Sequence, residues 1–141
     1  MATVTDNQRA NRIARLEEHV RAEQDHDVGA TLNTVSANPH FRINDVALDS
    51  RDAVTTFYQG MFDGFPDLEI EVTKRFVTDE AIILEVILRG THNGTWAGIP
   101  PSGRRMEVPC CAVYTFDGDE KIAEERAYFD VSVIMKQIGA S

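Results

Sequence analysis

Between residues 6 and 25 the apolar positions Ile13, Leu16 and Val20 recur at three- and four-residue intervals among Arg, Glu and Gln, the spacing of an amphipathic helix with one buried stripe. A break at Asp25-His26-Asp27 precedes a shorter helix expected over 28–35, which Pro39 keeps from continuing. Residues 40–44 alternate like a short strand. Asp49-Ser50-Arg51-Asp52 offers N-cap side chains for a third helix, in which Val54, Phe57, Tyr58, Met61 and Phe62 fall at i, i+3, i+4, i+7 and i+8.

Beyond Pro66 the period changes from 3.6 to 2. Leu68, Ile70, Val72 and Phe76 alternate with Glu69, Glu71, Thr73 and Arg75, and in the next strand, 80–92, Ile82, Leu84, Val86 and Leu88 share one face. A strand over 105–116 places Met106, Val108, Cys110, Ala112, Tyr114 and Phe116 together. After the turn at Asp117-Gly118-Asp119-Glu120 comes a last strand, 121–129, and a closing helix, 131–138, with Asp130 as its N-cap. Three helices followed by long antiparallel strands make an α+β order, with a curved sheet whose apolar face wraps the helices. The whole chain, 1–141, reads as one domain.

Charge and composition narrow the function. A net charge of −9 with no basic patch argues against nucleic acid and anionic membranes as partners. No apolar run approaches the roughly 20 residues of a spanning helix, and the N-terminus lacks the apolar core of a secretory signal, so a cytoplasmic protein is expected. Cys110 and Cys111 are adjacent in a strand and point to opposite faces, which argues against a mutual disulfide.

Few residues suggest chemistry. His19, Glu23 and His26 lie at i, i+4 and i+7, but they sit among charged residues at a helix end with no fourth ligand in view, so they read as a solvated face and no metal is expected. A nucleophile-plus-base pairing of a cysteine with His92 stays open beside the reading of strand cysteines as small buried hydrophobes. His92 continues the parity of Leu84, Val86 and Leu88, so it should point toward the core side at the sheet's rim, as an acid or base or as a rim imidazole bonded to a carbonyl. It begins a long loop, 92–104, in which Trp96 and Ile99 either cover a pocket mouth or pack on the sheet edge. In the last strand Glu125, Ala127 and Phe129 share a face. A carboxylate on a concave face has a raised pKa and can serve as general base; on the outer face it is a solvated charge.

Phe65-Pro66-Asp67-Leu68, Leu88-Arg89-Gly90-Thr91-His92, Gly98-Ile99-Pro100-Pro101-Ser102-Gly103-Arg104-Arg105, Lys121-Ile122 with Glu124 and Asp130, and Gln137-Ile138-Gly139 resemble, in order, the SnoaL-like polyketide cyclase (ester cyclase) family of the nuclear-transport-factor-2-like superfamily. The resemblance implies a cone-shaped curved antiparallel sheet enclosing an apolar pocket closed by the N-terminal helices, a homodimer joined through the sheet's outer face, and acid/base catalysis with no cofactor. It also implies a departure. The family's catalytic Asp corresponds to Ala127, and a polar residue many members carry on the middle strand is missing at Cys110-Cys111-Ala112-Val113. The Arg and Asp of the related epoxide hydrolases match Leu84 and Val86, which argues against that reaction.

If Ala127 takes the inward Asp position, Glu125 and Phe129 also face inward. Glu125 with His92 is then the candidate acid/base pair, and the ligand wall is expected from Tyr58, Trp96, Ile99, Val86, Leu88, Met106, Val108, Cys110, Ala112, Ala127 and Phe129. Three functions fit: a cyclase or isomerase acting on a small apolar oxygenated ring, a binding protein with the same pocket and no chemistry, and a structural dimer whose cavity its own side chains fill.

Overall fold

The computed structural model describes residues 3–140. Helix α1 (Asp6–Gln24) is followed by α2 (Val28–Asn33), a hairpin of β1 (Val35–Ile43) and β2 (Val46–Leu48), and α3 (Arg51–Gly64). Four long strands, β3 (Glu69–Val77), β4 (Ile82–Thr91), β5 (Arg105–Phe116) and β6 (Ile122–Phe129), precede α4 (Val131–Gln137). All six strands form one sheet in the order β2-β1-β6-β5-β4-β3, with β1 parallel to β6 and every other pair antiparallel.

Local chemistry sets the element ends. Thr5 and Gln8 form a reciprocal capping box on α1, and Asp27, Ser50 and Asp130 accept from backbone N–H groups at the starts of α2, α3 and α4. The second helix is shorter than the sequence suggests. It stops at Asn33, and Val35, expected to be helical, starts β1 instead. Pro39 therefore lies inside a strand, where it falls within the register shift between Val35 and His40 against β6, a place that tolerates its missing N–H. The hairpin to β2, which the sequence pattern leaves out, turns at Asn44 with φ 56°. Asn44 also ties the hairpin to β6, its N–H donating to Ala127 O and its Oδ1 accepting from Phe129 N.

The core lies between the concave face of the sheet and α1 and α3. Inward positions of β4 and β5 alternate as expected: Ile82, Leu84, Val86 and Leu88 are buried opposite Tyr114, Ala112, Cys110 and Val108. On α1, however, the fully buried positions are Leu16, His19 and Ala22, while Ile13 and Val20 are only partly covered. An imidazole thus occupies the stripe reserved for aliphatic side chains.

Candidate active site

Cross-strand register builds the site from three rows. The first runs Phe41, Glu125, Tyr114, Ile82; the second Ile43, Ala127, Ala112, Leu84; the third brings Phe129, Cys110 and Val86 together. Large side chains fill the outer rows, and the paired alanines of the middle row leave space between them. That space is a cavity of about 60 Å³ whose far wall is made by Phe57, Tyr58, Met61 and Phe62 of α3 and by Val20 and Glu23 of α1. One water needs only ~10–15 Å³, so the hollow can admit a small group.

One end of this apolar hollow is polar. His19 is fully buried, and its Nδ1–H donates to Thr34 Oγ1 at 2.7 Å, because the Thr34 hydroxyl proton is itself committed to Thr31 O at 2.6 Å. The other ring nitrogen, Nε2, stands 3.1 Å from Tyr58 Oη, 3.5 Å from Glu23 Oε1 and 3.6 Å from Glu125 Oε1. Glu125 is 6 % exposed and its Oε1 has no hydrogen-bond partner. Two carboxylates converge on one imidazole.

The electrostatics follow from that crowding. Burial pushes the Glu23 carboxyl up and Glu125 adds to the effect; His19 and a hydrogen bond from Tyr58 pull the other way, and the balance lies at about 7. Burial lowers the His19 pKa, but Glu23 first and Glu125 next outweigh it and hold the imidazole above its ordinary value. Tyr58 and Tyr114 are held well above the usual phenol value, by burial and then by the same carboxylates, so both remain O–H donors. The Glu23 carboxyl is thus brought toward the range in which acid/base catalysis is most effective.

The structure brings together only part of the set expected from sequence. Tyr58, Val86, Leu88, Cys110, Ala112, Ala127, Phe129 and Glu125 line the cavity. His92 does not. It follows the last residue of β4, whereas Glu125 is aligned through Tyr114 with Ile82, the first residue of that ten-residue strand; at ~3.3 Å per residue the two ends are on the order of 30 Å apart along the strand. His92 is buried against Phe65, with Nδ1 bonded to Ser102, and no acid/base pair with Glu125 forms. Trp96 and Ile99 also leave the cavity wall. They bridge each other across Ala97 and Gly98, both at positive φ, and Trp96 packs on Phe65 and Gly64 at the end of α3. Met106 and Val108 are 1 % and 0 % exposed but lie in the packed core beyond the hollow.

Cys110 is the one thiol in the cavity wall among the described residues, and it is a poor nucleophile there. Burial, reinforced by Glu125 and Cys111, pushes it up to about 12, and His92 is far away. Among the described residues no group of three or more His, Cys, Asp or Glu has the arrangement of a metal site; His26 turns aside to stack on Phe62 and bond Leu68 O.

His19 and Glu23 are the residues the sequence reading set aside as a solvated face. The signal was present: Glu23 falls seven residues after Leu16 and three after Val20, inside the apolar stripe. Among the described residues no helix is long and apolar enough to cross a membrane.

Comparison with known proteins agrees with this architecture. A protein from Jannaschia sp. CCS1 assigned as a SnoaL-like polyketide cyclase superposes with a TM-score of 0.82 at 24% identity, over 100% of this chain and 99% of that one. AclR of Streptomyces galilaeus, assigned as a hydroxylase, gives 0.83 at 24% identity over 94% and 83% of the two chains. IdmH of Streptomyces antibioticus, assigned as a polyketide cyclase, gives 0.77 at 19% over 91% and 98%. Such identities speak for the fold, which a further neighbour describes as ketosteroid isomerase-like. No curated protein matches the sequence significantly. The model of the SnoaL-like polyketide cyclases matches residues 12–138, and the chain belongs to that family.

Proposed function

We propose that the protein is a cofactor-free enzyme of the cyclase or isomerase type, which removes and returns a proton on a small apolar oxygenated ring through Glu125. The observation that carries this reading is the convergence of Glu23, Glu125 and Tyr58 on His19 Nε2 at the polar end of an otherwise apolar cavity. In this scheme the Glu125 carboxylate takes a proton from carbon next to a ring carbonyl. Tyr58 or Tyr114 donates a hydrogen bond to the resulting enolate oxygen, and the Glu125 carboxyl then returns the proton to carbon of the product, which restores its carboxylate. The neighbouring Glu23 carboxyl, its pKa raised by burial, adds less negative charge beside it than a free carboxylate would. His19 does not line the cavity; it is a positioning residue that holds the two carboxylates in reach of each other. The protein is further read as a cytoplasmic homodimer joined through the outer face of its sheet.

Ala127 favours a second reading. It faces the cavity, where the family resemblance implies a catalytic Asp, and a pocket without that acid/base would only bind. Solvent-deuterium exchange at C1 of 2-tetralone, followed by NMR, separates the two. A catalyst accelerates exchange over buffer, and Glu125→Gln lowers that acceleration by about 10²-fold or more. Binding of 2-tetralone without acceleration, or acceleration indifferent to both Glu125→Gln and Glu23→Gln, would defeat the acid/base reading.

A further inference from the structure

Helix α1 does not seal against the sheet along its whole length. On the flank opposite the hollow, a groove of about 440 Å³ opens between α1 and the β3 edge of the sheet, with Leu16, Val20, Val72 and Leu84 as its apolar lining. Two ties bound it. The Gln24 side chain exchanges both amide hydrogen bonds with the backbone of Ile70, and Arg75 Nη1 meets Glu17 Oε1 at 3.3 Å.

Val20 and Leu84 line both the groove and the inner cavity, so a single layer of side chains separates the two spaces. Their sizes are unequal. Ligand sites usually span ~300–1,000 Å³; the cavity, at about 60 Å³, falls short of that range, and the groove, at about 440 Å³, lies within it. A ligand that reaches Glu125 with one end must therefore leave most of its volume outside, and the groove is the adjoining space.

Charge fixes which end goes where. The cavity wall includes Glu23 and Glu125 and no cationic side chain, so it offers an anion no partner. Around the groove stand two guanidiniums, Arg21 and Arg75, against the single carboxylate of Glu17. Arg75 is tied to Glu17, while Arg21 is exposed and makes no salt bridge among the described residues. This is a local excess of positive charge on a chain of net charge −9.

We propose that the α1–β3 groove is the outer half of the binding site: the substrate passes between Val20 and Leu84, seats its ring toward Glu125, and leaves a carboxylate-bearing arm against Arg21 and Arg75. The direction of the ligand rests on the acid/base reading above; the groove's preference for a carboxylate does not. Calorimetric titration with 2-naphthylacetate and its neutral analogue 2-naphthylacetamide, at low salt, tests it. The acid should bind about 5-fold tighter than the amide or better, and the double substitution Arg21→Gln with Arg75→Gln should bring the two to parity. Val20→Trp, which blocks the passage, should weaken both by about 10-fold. Circular dichroism confirms that each variant is folded. Equal affinities for acid and amide in the unaltered protein, binding indifferent to Val20→Trp, or no binding of either probe overturns the proposal. Loss of tetralone exchange alongside retained carboxylate preference would remove the acid/base reading and leave the groove standing.

Discussion

Glu23 and His19 bind protons more tightly in the folded chain than outside it, and this has a consequence for stability. A group whose folded pKa is raised contributes stability that is complete below its unfolded pKa and is lost as pH rises through the folded one. For Glu23 that window runs from its ordinary 4.5 to about 7, and His19, also raised, acts in the same direction above its ordinary 6.5. Asp49, Asp67 and Asp130 are lowered, by hydrogen bonds from Arg42, from the Thr91 backbone N–H and from Ser132 respectively; their effect falls in more acidic solution. The melting temperature should therefore decline by several degrees between pH 5 and pH 8, and Glu23→Gln should flatten the part below pH 7. Scanning calorimetry across that range checks both; a flat profile in the unaltered protein would show that the cluster does not hold its protons. Glu23 shares the spacing of Leu16 and Val20, but its charge and its charged neighbours point to a solvated face, and nothing in the sequence indicates that Glu125 comes from the far side of the fold to meet it. That meeting depends on β6 pairing with β5 so that Glu125 stands beside Tyr114.

At the scale of elements, the loop from His92 to Arg104 owes its length to α3. Gly94 N donates to Gly64 O at 3.1 Å, and a Cβ at Gly94 would lie 1.8 Å from Asp63 O. A Cβ at Gly64 would meet Trp96 Cβ at 2.6 Å. The loop is a clasp over the end of α3, with Trp96 and Phe65 in edge contact at 5.5 Å. Replacing Gly94 with Ala forces backbone to move apart and should cost about 2–3 kcal/mol, measured by urea unfolding; a loss below roughly 0.5 kcal/mol, the usual scatter of surface changes, would mean that the clasp carries little. The sequence marks this loop by its glycines, prolines and lone Trp. Neither pocket cover nor sheet-edge packing describes it: its partner is the end of α3, because a loop's partner is set by the element that lies under it.

Over the whole molecule, the outer face of the sheet exposes Phe76 and Tyr128 at 45 % and 52 %. Both are large apolar side chains left open to solvent, the kind of surface that the proposed homodimer would cover. Sedimentation should give about twice the mass of one chain, and Phe76→Glu with Tyr128→Glu should reduce it to a monomer; a monomeric unaltered protein would refute the assembly. The alternation of β4 to β6, the amphipathic third helix and the caps at Ser50 and Asp130 were legible in the chain itself, because period and capping are properties of neighbouring residues; in β3 a register shift after Val72 turns Phe76 away from the face of Ile70 and Val72 that the alternation predicts for it. The inward facing of Glu125 could be read only through the alignment of Ala127 with a family position. What the tertiary structure alone decided was company: His92 and Glu125 share a facing parity but stand at opposite ends of β4, while His19, Glu23, Tyr58 and Glu125, drawn from two helices and the last strand, converge within 3.6 Å of one nitrogen. Parity along a strand says which way a side chain points, and only the register between strands and the seating of helices says what it meets.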